Sequence, residues 1–219
     1  MTIEKNSFII ECPKEVSYVK EVIEYLESRM DEITLFLNLQ NIQDKKKIVI
    51  WNDLNEYKKH IEYFFEYHDY MCADTLDGNV NMLTLEEAHK TREHKNMTLL
   101  EMKQNICHEF VHICQQSMEI EPLNDNDHST SWFWEALATN LGNPEQFESI
   151  KLEDLTGIEN FNNMPNNYPI AFTLGKYMLE NIDKDTIIEY IKYPKQLKID
   201  SQSIFENAIA WSNREFKKM

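Results

Sequence analysis

The chain has 219 residues, of which 42% are hydrophobic and 11% aromatic, as expected for a globular domain that can bury a core of its own. The 22 basic and 38 acidic residues give a formal net charge of −16. Nucleic acid is not expected as a partner, because proteins bind phosphate backbones with basic faces. Acidity favours solubility and, weakly, a basic substrate.

The sequence lacks the features of exported and membrane proteins. Its first residues have neither the basic region nor the long apolar core of a signal peptide, and no apolar run is long enough to span a bilayer. The four cysteines form no Cys-x-x-Cys pair. We therefore expect a cytoplasmic protein that is not membrane-bound, with Cys107 and Cys114 as buried thiols rather than ligands.

The first half of the chain alternates predicted strands and helices. Apolar residues at spacings of three and four predict helices, and short or alternating apolar runs predict strands. In chain order we predict a strand over 7–12, an amphipathic helix from Lys14 to about Leu39, a buried strand over 48–51, a helix from Leu54 to about His68 with Asn52 or Asp53 as its cap, and a strand over 79–85.

The motif His108-Glu109-Phe110-Val111-His112 lies inside a predicted helix from about Met97 to Met118. The two histidines are four residues apart in this helix. They therefore lie about 40° apart around its axis and roughly 6 Å apart along it, so both can reach one metal ion. Glu109 lies on the flank of that face. It can act as a general base on a metal-bound water without being a ligand, which is the signature of a zinc hydrolase.

A catalytic zinc ion needs a third protein ligand and an open position for water. The candidate is Glu135, in a Trp-Glu-Ala-Leu-Ala run that predicts a second buried helix. Ser131 is predicted to cap this helix and Gly142 to help end it. The residues between His112 and Glu135 are numerous enough for the chain to turn and bring the two helices side by side.

These residues resemble the gluzincins, the thermolysin-like zinc metallopeptidases whose third ligand is a glutamate on the helix after His-Glu-x-x-His. The resemblance covers roughly 46–179. It implies one Zn²⁺ per chain, held by His108, His112 and Glu135, and a peptide or protein substrate. It also implies that strand 79–85 is a sheet edge beside which substrate lies. The Gly-x-Met-Glu-Asn segment of one large aminopeptidase group is absent, which disfavours an aminopeptidase of that type.

Two further residues are candidates for stabilising the oxyanion. Many gluzincins carry a tyrosine that faces the zinc in the region of the predicted helix over 168–179, and Tyr168 is our choice, ahead of Tyr177 or a purely packing role. His128, in a loop rich in Asp, Asn and Ser, is the second candidate. A loop histidine beside Asp127 is, however, more often a surface residue than a catalytic one.

The predicted fold class is α+β, with a zincin-like catalytic domain whose small mixed sheet has an edge strand over the zinc helix. We expect a zincin-like lobe over 1–142 and a C-terminal helical lobe over 143–219, with closing helices near 182–191 and 201–216.

The predicted activity is peptide-bond hydrolysis by a zinc-dependent enzyme. Two alternatives remain: a regulatory or binding protein with a structural zinc site, and an all-helical protein with an accidental motif. The sequence does not indicate an oligomeric state.

Overall fold

The computed structural model describes residues 1–14, 16–39, 45–62, 71–124, 127–153, 155, 157–165 and 167–217. The chain divides into two compact units, Met1–Ile113 and Cys114–Met219. This division falls inside a helix. The predicted division into two lobes at residue 142 is not tested by it and stays a prediction. Among the described residues, no helix combines the length and apolarity that crossing a bilayer requires.

The first unit is a mixed sheet with helices, so the predicted α+β class is confirmed and the all-helical alternative is wrong. Its strands are β1 (Thr2–Glu4), β2 (Phe8–Glu11), β3 (Lys46–Trp51), β4 (Ala73–Asp74) and β5 (Val80–Leu83), and its helices are α1 (Val19–Phe36), α2 (Leu54–Ile61), α3 (Leu85–Ala88) and α4 (Leu99–Met118), of which α4 continues into the second unit. The sheet order is β1-β2-β3-β5-β4. The three central strands are parallel, and each outer strand is antiparallel to its neighbour.

The strand predicted over 79–85 is present as β5, but β5 is not an edge of the sheet, so the predicted edge position is wrong. It pairs with β3 on one side, and the two-residue strand β4 pairs with Asn81 and Met82 on the other. The buried amide of Asn81 fixes this arrangement, because its nitrogen donates to Asp74 Oδ1 at 2.9 Å and its oxygen accepts from Trp51 Nε1 at 3.2 Å. The backbone groups of Asn81 and Met82 that an added peptide strand would need are therefore already used.

Most predicted elements of this unit are present with adjusted ends. Helix α1 begins at Val19 rather than Lys14, and Leu39 lies beyond its end at Phe36. Asp53 caps α2, accepting from two backbone amides of the first turn. Helix α2 is described to Ile61, and the rest of that prediction, His68 included, lies outside the described residues.

The regular structure described in the second unit is helical, as predicted for the C-terminal part of the chain. Besides the end of α4, it contains α5 (Ser131–Leu141), α6 (Asn167–Asn181), α7 (Lys184–Lys192) and α8 (Pro194–Glu215), with a 3₁₀ segment at Ile158–Asn163. Helix α8 begins seven residues before the predicted start, because Pro194 occupies its first turn, where a missing N–H costs nothing. Fully buried Trp132 and Phe133 lie in its core.

Candidate metal centre

Helix α4 carries the two histidines, and its start is fixed by side chains just before its first residue. Thr98 Oγ1 accepts from the backbone amide of Glu101, and the Glu101 carboxylate accepts from the backbone amide of Thr98. This reciprocal pair is a capping box. The Thr-x-x-Glu signal is present in the sequence and indicates a helix start directly after Thr98.

His108 and His112 lie one turn apart on α4, as the spacing predicts. Their Nε2 atoms are 3.1 Å apart, and their rings are almost perpendicular, at 82°. His108 is buried and His112 is half-buried. The rings do not stack, and their Nε2 atoms point towards the same place. Both nitrogens could therefore bind one metal ion.

Glu135 lies in the second turn of α5, whose position is set by close contact with α6. A Cβ atom on Gly175 of α6 would lie 2.2 Å from the carbonyl oxygen of Ala136, so only glycine allows this approach. Asn140 reinforces the contact, because its side-chain nitrogen donates to the carbonyl oxygens of Ala136 and Phe172 at 2.8 and 2.9 Å. Ala136, the residue after Glu135, is thus held in close contact with α6.

The start of α5 differs from the prediction that Ser131 caps it. The cap position is Thr130, and Ser131 is the first helical residue. No side chain caps the helix; instead the Thr130 carbonyl accepts from the amide of Phe133, and the Ser131 amide donates to the carbonyl of His128. The Thr139 hydroxyl donates to the backbone carbonyls of Glu135 and Ala136.

The predicted ligands come together. One nitrogen each of His108 and His112 and one carboxylate oxygen of Glu135 all lie within 4.8 Å of one another. Within the described part of the chain, this is the one group of three or more His, Cys, Asp or Glu side chains with that spacing. Of the two imidazoles and one carboxylate, only the carboxylate must carry charge, so the set matches a divalent cation of intermediate hardness.

The distances between the donor atoms are compatible with a divalent metal ion such as zinc. Atoms bound to one tetrahedral zinc at about 2.1 Å lie about 3.4 Å from one another. The 3.1 Å separation of the two Nε2 atoms is close to that value. The 4.8 Å limit means that the Glu135 oxygen is within roughly 1.5 Å of it, which a change of side-chain rotamer can supply. The donor set is also the His₂Glu type used by catalytic zinc sites.

Glu109 lies beside a buried polar cluster of the first unit, formed by Tyr57, Cys72 and Asp74. Burial, together with the nearby Glu109 charge, raises the pKa of the Cys72 thiol to about 12. Burial also raises the pKa of Tyr57, with smaller contributions from Asp74, Cys72 and Glu109. Glu109 itself is half-buried. Its carboxylate therefore lies where water only partly screens local charges.

The cysteines that flank the motif are thiols in the core, as predicted. Cys107 and Cys114 are fully buried, and neither forms a disulfide. Burial raises the pKa of Cys107 to about 12, so the thiolate that binds metals is strongly disfavoured there. Neither cysteine belongs to the group of converging donors.

The two residues predicted to stabilise the oxyanion have different surroundings, and His128 is not part of the group of converging donors. Tyr168, the second residue of α6, is 43% exposed and stacks on Phe147 with 5.6 Å between ring centroids. His128 lines a polar cavity of about 460 Å³ together with Asn160 and Lys198.

The site residue that the sequence reasoning missed is Gly175. Its signal was a glycine inside an apolar helix, a pattern that indicates close helix contact.

Comparisons with known proteins give no family for this chain. No family model matches it, and no curated protein matches it. The case for function consequently depends on the residues of the site.

Proposed function

We propose that the protein is a zinc-dependent metallopeptidase of the gluzincin type, with a zincin-like catalytic domain. The observation that carries the proposal is the convergence of His108, His112 and Glu135 donor atoms within 4.8 Å. A His-Glu-x-x-His match arises by chance in sequences, but a third ligand of the required type at the required place is an independent condition. A five-stranded mixed sheet in the unit that contains the motif supports the zincin-like fold.

The three ligands would hold one zinc ion, which when bound supplies a Lewis acid that acidifies water and polarises the scissile carbonyl. Glu109 acts as the base: its carboxylate accepts a proton from the attacking water and later delivers it to the leaving amine. Helix α4 places Glu109 next to His108 but on the flank of the ligand face. The carboxylate is thereby kept near the site without binding the metal, so that it can accept and release a proton.

Oxyanion stabilisation is assigned to Tyr168, with His128 as the alternative donor. Tyr168 lies in the first turn of α6, the helix that Gly175 holds against the Glu135 helix. A phenol hydroxyl that donates to the developing negative charge typically contributes about a hundredfold or more to the rate. Hydrolysis by Tyr168→Phe and His128→Ala variants, each with normal zinc content, separates the two assignments.

The function is tested with two isosteric variants that separate metal binding from proton transfer. Glu109→Gln should keep one zinc per chain but lose peptide hydrolysis by at least about a hundredfold, because an amide cannot accept the proton. Glu135→Gln should lose zinc affinity, also by at least about a hundredfold, since a ligand contributes no less than the groups that orient it. Zinc is measured by elemental analysis, and hydrolysis on a mixture of unstructured peptides.

Glu24→Gln serves as the control, because Glu24 is an exposed residue of α1 whose side chain pairs with Lys20. It should retain both zinc and activity. Full hydrolysis by Glu109→Gln would disprove the proposed mechanism. Stoichiometric zinc in a wild-type protein without any turnover would instead support the alternative, a binding or regulatory protein with a structural zinc site.

A further inference from the structure

A second potential binding site lies in the C-terminal helices, in a groove between α7 and the N-terminal half of α8. The groove, called here the α7–α8 groove, encloses about 600 Å³. Cavities of this size accommodate small ligands or a few side chains of a peptide. The aromatic and aliphatic part of its lining comes from Tyr190, Tyr193 and Ile199. Ile199 is 73% exposed, which is the highest value among the exposed large hydrophobic residues of the described chain.

The walls of the groove are held in place by hydrogen bonds within the second unit. Tyr190 Oη and Gln196 Nε2 both donate to Asp200 Oδ2, at 3.0 and 2.9 Å, and so connect α7 with α8. The Tyr190 ring also packs edge-on against Phe133 of the core. The amides of Ile120 and Glu121 donate to the carbonyl of Lys192. The groove is therefore formed before any ligand binds, which lowers the entropic cost of binding.

The groove is strongly acidic. Four carboxylates line it, from Glu121, Asp185, Glu189 and Asp200, against the single ammonium of Lys195. Lys195 lies 3.9 Å from Glu121, and both side chains are more than half exposed. Lys192 pairs with Glu189 at 2.7 Å on the surface of the same helix. Even with Lys192 counted beside the lining, four carboxylates face two ammonium groups, so the groove keeps a net negative charge.

Two of the carboxylates also repel each other. Asp185 and Glu189 stand four residues apart on α7 and therefore lie on the same side of the helix, where like charges destabilise it. A cation bound between them would remove this repulsion. The tyrosine rings would add favourable contacts, because aromatic faces attract the ammonium or guanidinium group and cover its aliphatic stem.

We propose that the α7–α8 groove binds a peptide segment in which a lysine or arginine stands next to an apolar side chain. The cation lies between Asp185, Glu189 and Asp200, and the apolar side chain packs on Tyr190, Tyr193 and Ile199. This site is independent of the metal centre and of hydrolysis. It is a docking site for a basic segment of another protein, and Coulomb attraction makes its affinity fall as salt concentration rises.

The probe is a fluorescent heptapeptide of alternating lysine and leucine, and its counterpart has glutamate in place of lysine. Binding is measured by anisotropy at low and high salt, with every protein in the Glu109→Gln background so that the probe is not cut. We expect the lysine peptide to bind and the glutamate peptide to fail. Hydrogen exchange should slow in α7 and the first turns of α8 when the lysine peptide is present.

The double variant Asp185→Asn/Glu189→Gln should weaken binding about tenfold to a hundredfold, since each removed charge contributes about half to one factor of ten. The matched control, Glu180→Gln/Glu206→Gln, removes two exposed carboxylates of the same unit outside the groove. It should bind as the parent does. Equal affinity of the two double variants would overturn the proposal.

A second variant guards against loss of folding in the first. Ile199→Lys adds a positive charge at the mouth of the groove at a position so exposed that the fold does not depend on it. It should weaken binding by at least about the same factor, whereas Leu35→Lys, at a 58% exposed position of the first unit, should not. Hydrogen-exchange protection located outside α7 and α8, or unchanged binding by Ile199→Lys, would also contradict the proposed site.

Discussion

Burial raises the pKa of several side chains of this protein, and the thiol of Cys72 is one of them. Glu109 shows the consequence at the candidate metal centre: it is half-buried, and its charge is felt by the Cys72 thiol in the buried polar cluster. The motif predicts Glu109 as the base from its spacing on a helix, and that role stays a prediction. The motif gives no indication that Tyr57, Cys72 and Asp74 lie near Glu109, because these residues come from separate parts of the chain.

Burial of tyrosines predicts a loss of stability at alkaline pH. Burial raises the pKa of Tyr18 and of Tyr190 to about 12, from an ordinary value of 10.0, with smaller effects of their hydrogen bonds and of nearby acids. A raised pKa in the folded state means that these groups stabilise the fold fully below pH 10. That stability should disappear as the pH rises from about 10 to about 12, because the unfolded chain releases the phenol protons first.

The measurement is tyrosinate absorbance during alkaline titration of the native protein and of the protein in urea, together with melting temperature against pH. Tyr18→Phe and Tyr190→Phe should each flatten the alkaline fall in melting temperature. Identical titration of the native and the urea-unfolded protein would contradict the burial of these phenols.

Among the elements, the contact between α5 and α6 matters most for the metal centre. Gly175→Ala would place a methyl group 2.2 Å from Ala136 O, so the helices must separate. Overpacking of this kind costs about 1–3 kcal/mol of unfolding free energy. Because Glu135 precedes Ala136, the same shift should also weaken zinc binding.

Urea unfolding and zinc titration measure these two effects of Gly175→Ala. Lys176→Ala is the control, since Lys176 is the next residue of α6 and is exposed. It should change neither quantity by much. Zinc affinity equal to that of wild type in a destabilised Gly175→Ala protein would show that the helix contact does not position Glu135.

The elements also show how far a sequence predicts structure. Apolar periodicity predicted α4 and α5 to within a few residues, because both helices bury long, regular faces. The predicted edge strand failed for a specific reason: β4 has two residues, Ala73 and Asp74, and two residues have no periodicity. Its pairing depends on the amide of Asn81 and the carboxylate of Asp74, which meet only in the folded chain.

The chain as a whole carries a net charge of −16, and this charge predicts how its stability depends on salt. Like charges repel across the surface at low ionic strength, where the Debye length is about 30 Å, and much less at about 0.15 M salt, where it is about 8 Å. Salt also weakens attractive pairs such as Lys20–Glu24 and Lys59–Glu56, but these pairs are exposed and contribute little each.

Relief of repulsion should therefore prevail, and the melting temperature should rise between about 0.01 M and about 0.15 M sodium chloride. Differential scanning calorimetry at pH 7.5, with fixed zinc, measures the change. The same series at a pH near the sequence pI of about 4.8 is the control, because the net charge there is close to zero and the rise should vanish. A melting temperature that falls with salt at pH 7.5 would mean that attractive pairs outweigh the excess of acids, contrary to the small contribution assigned to them.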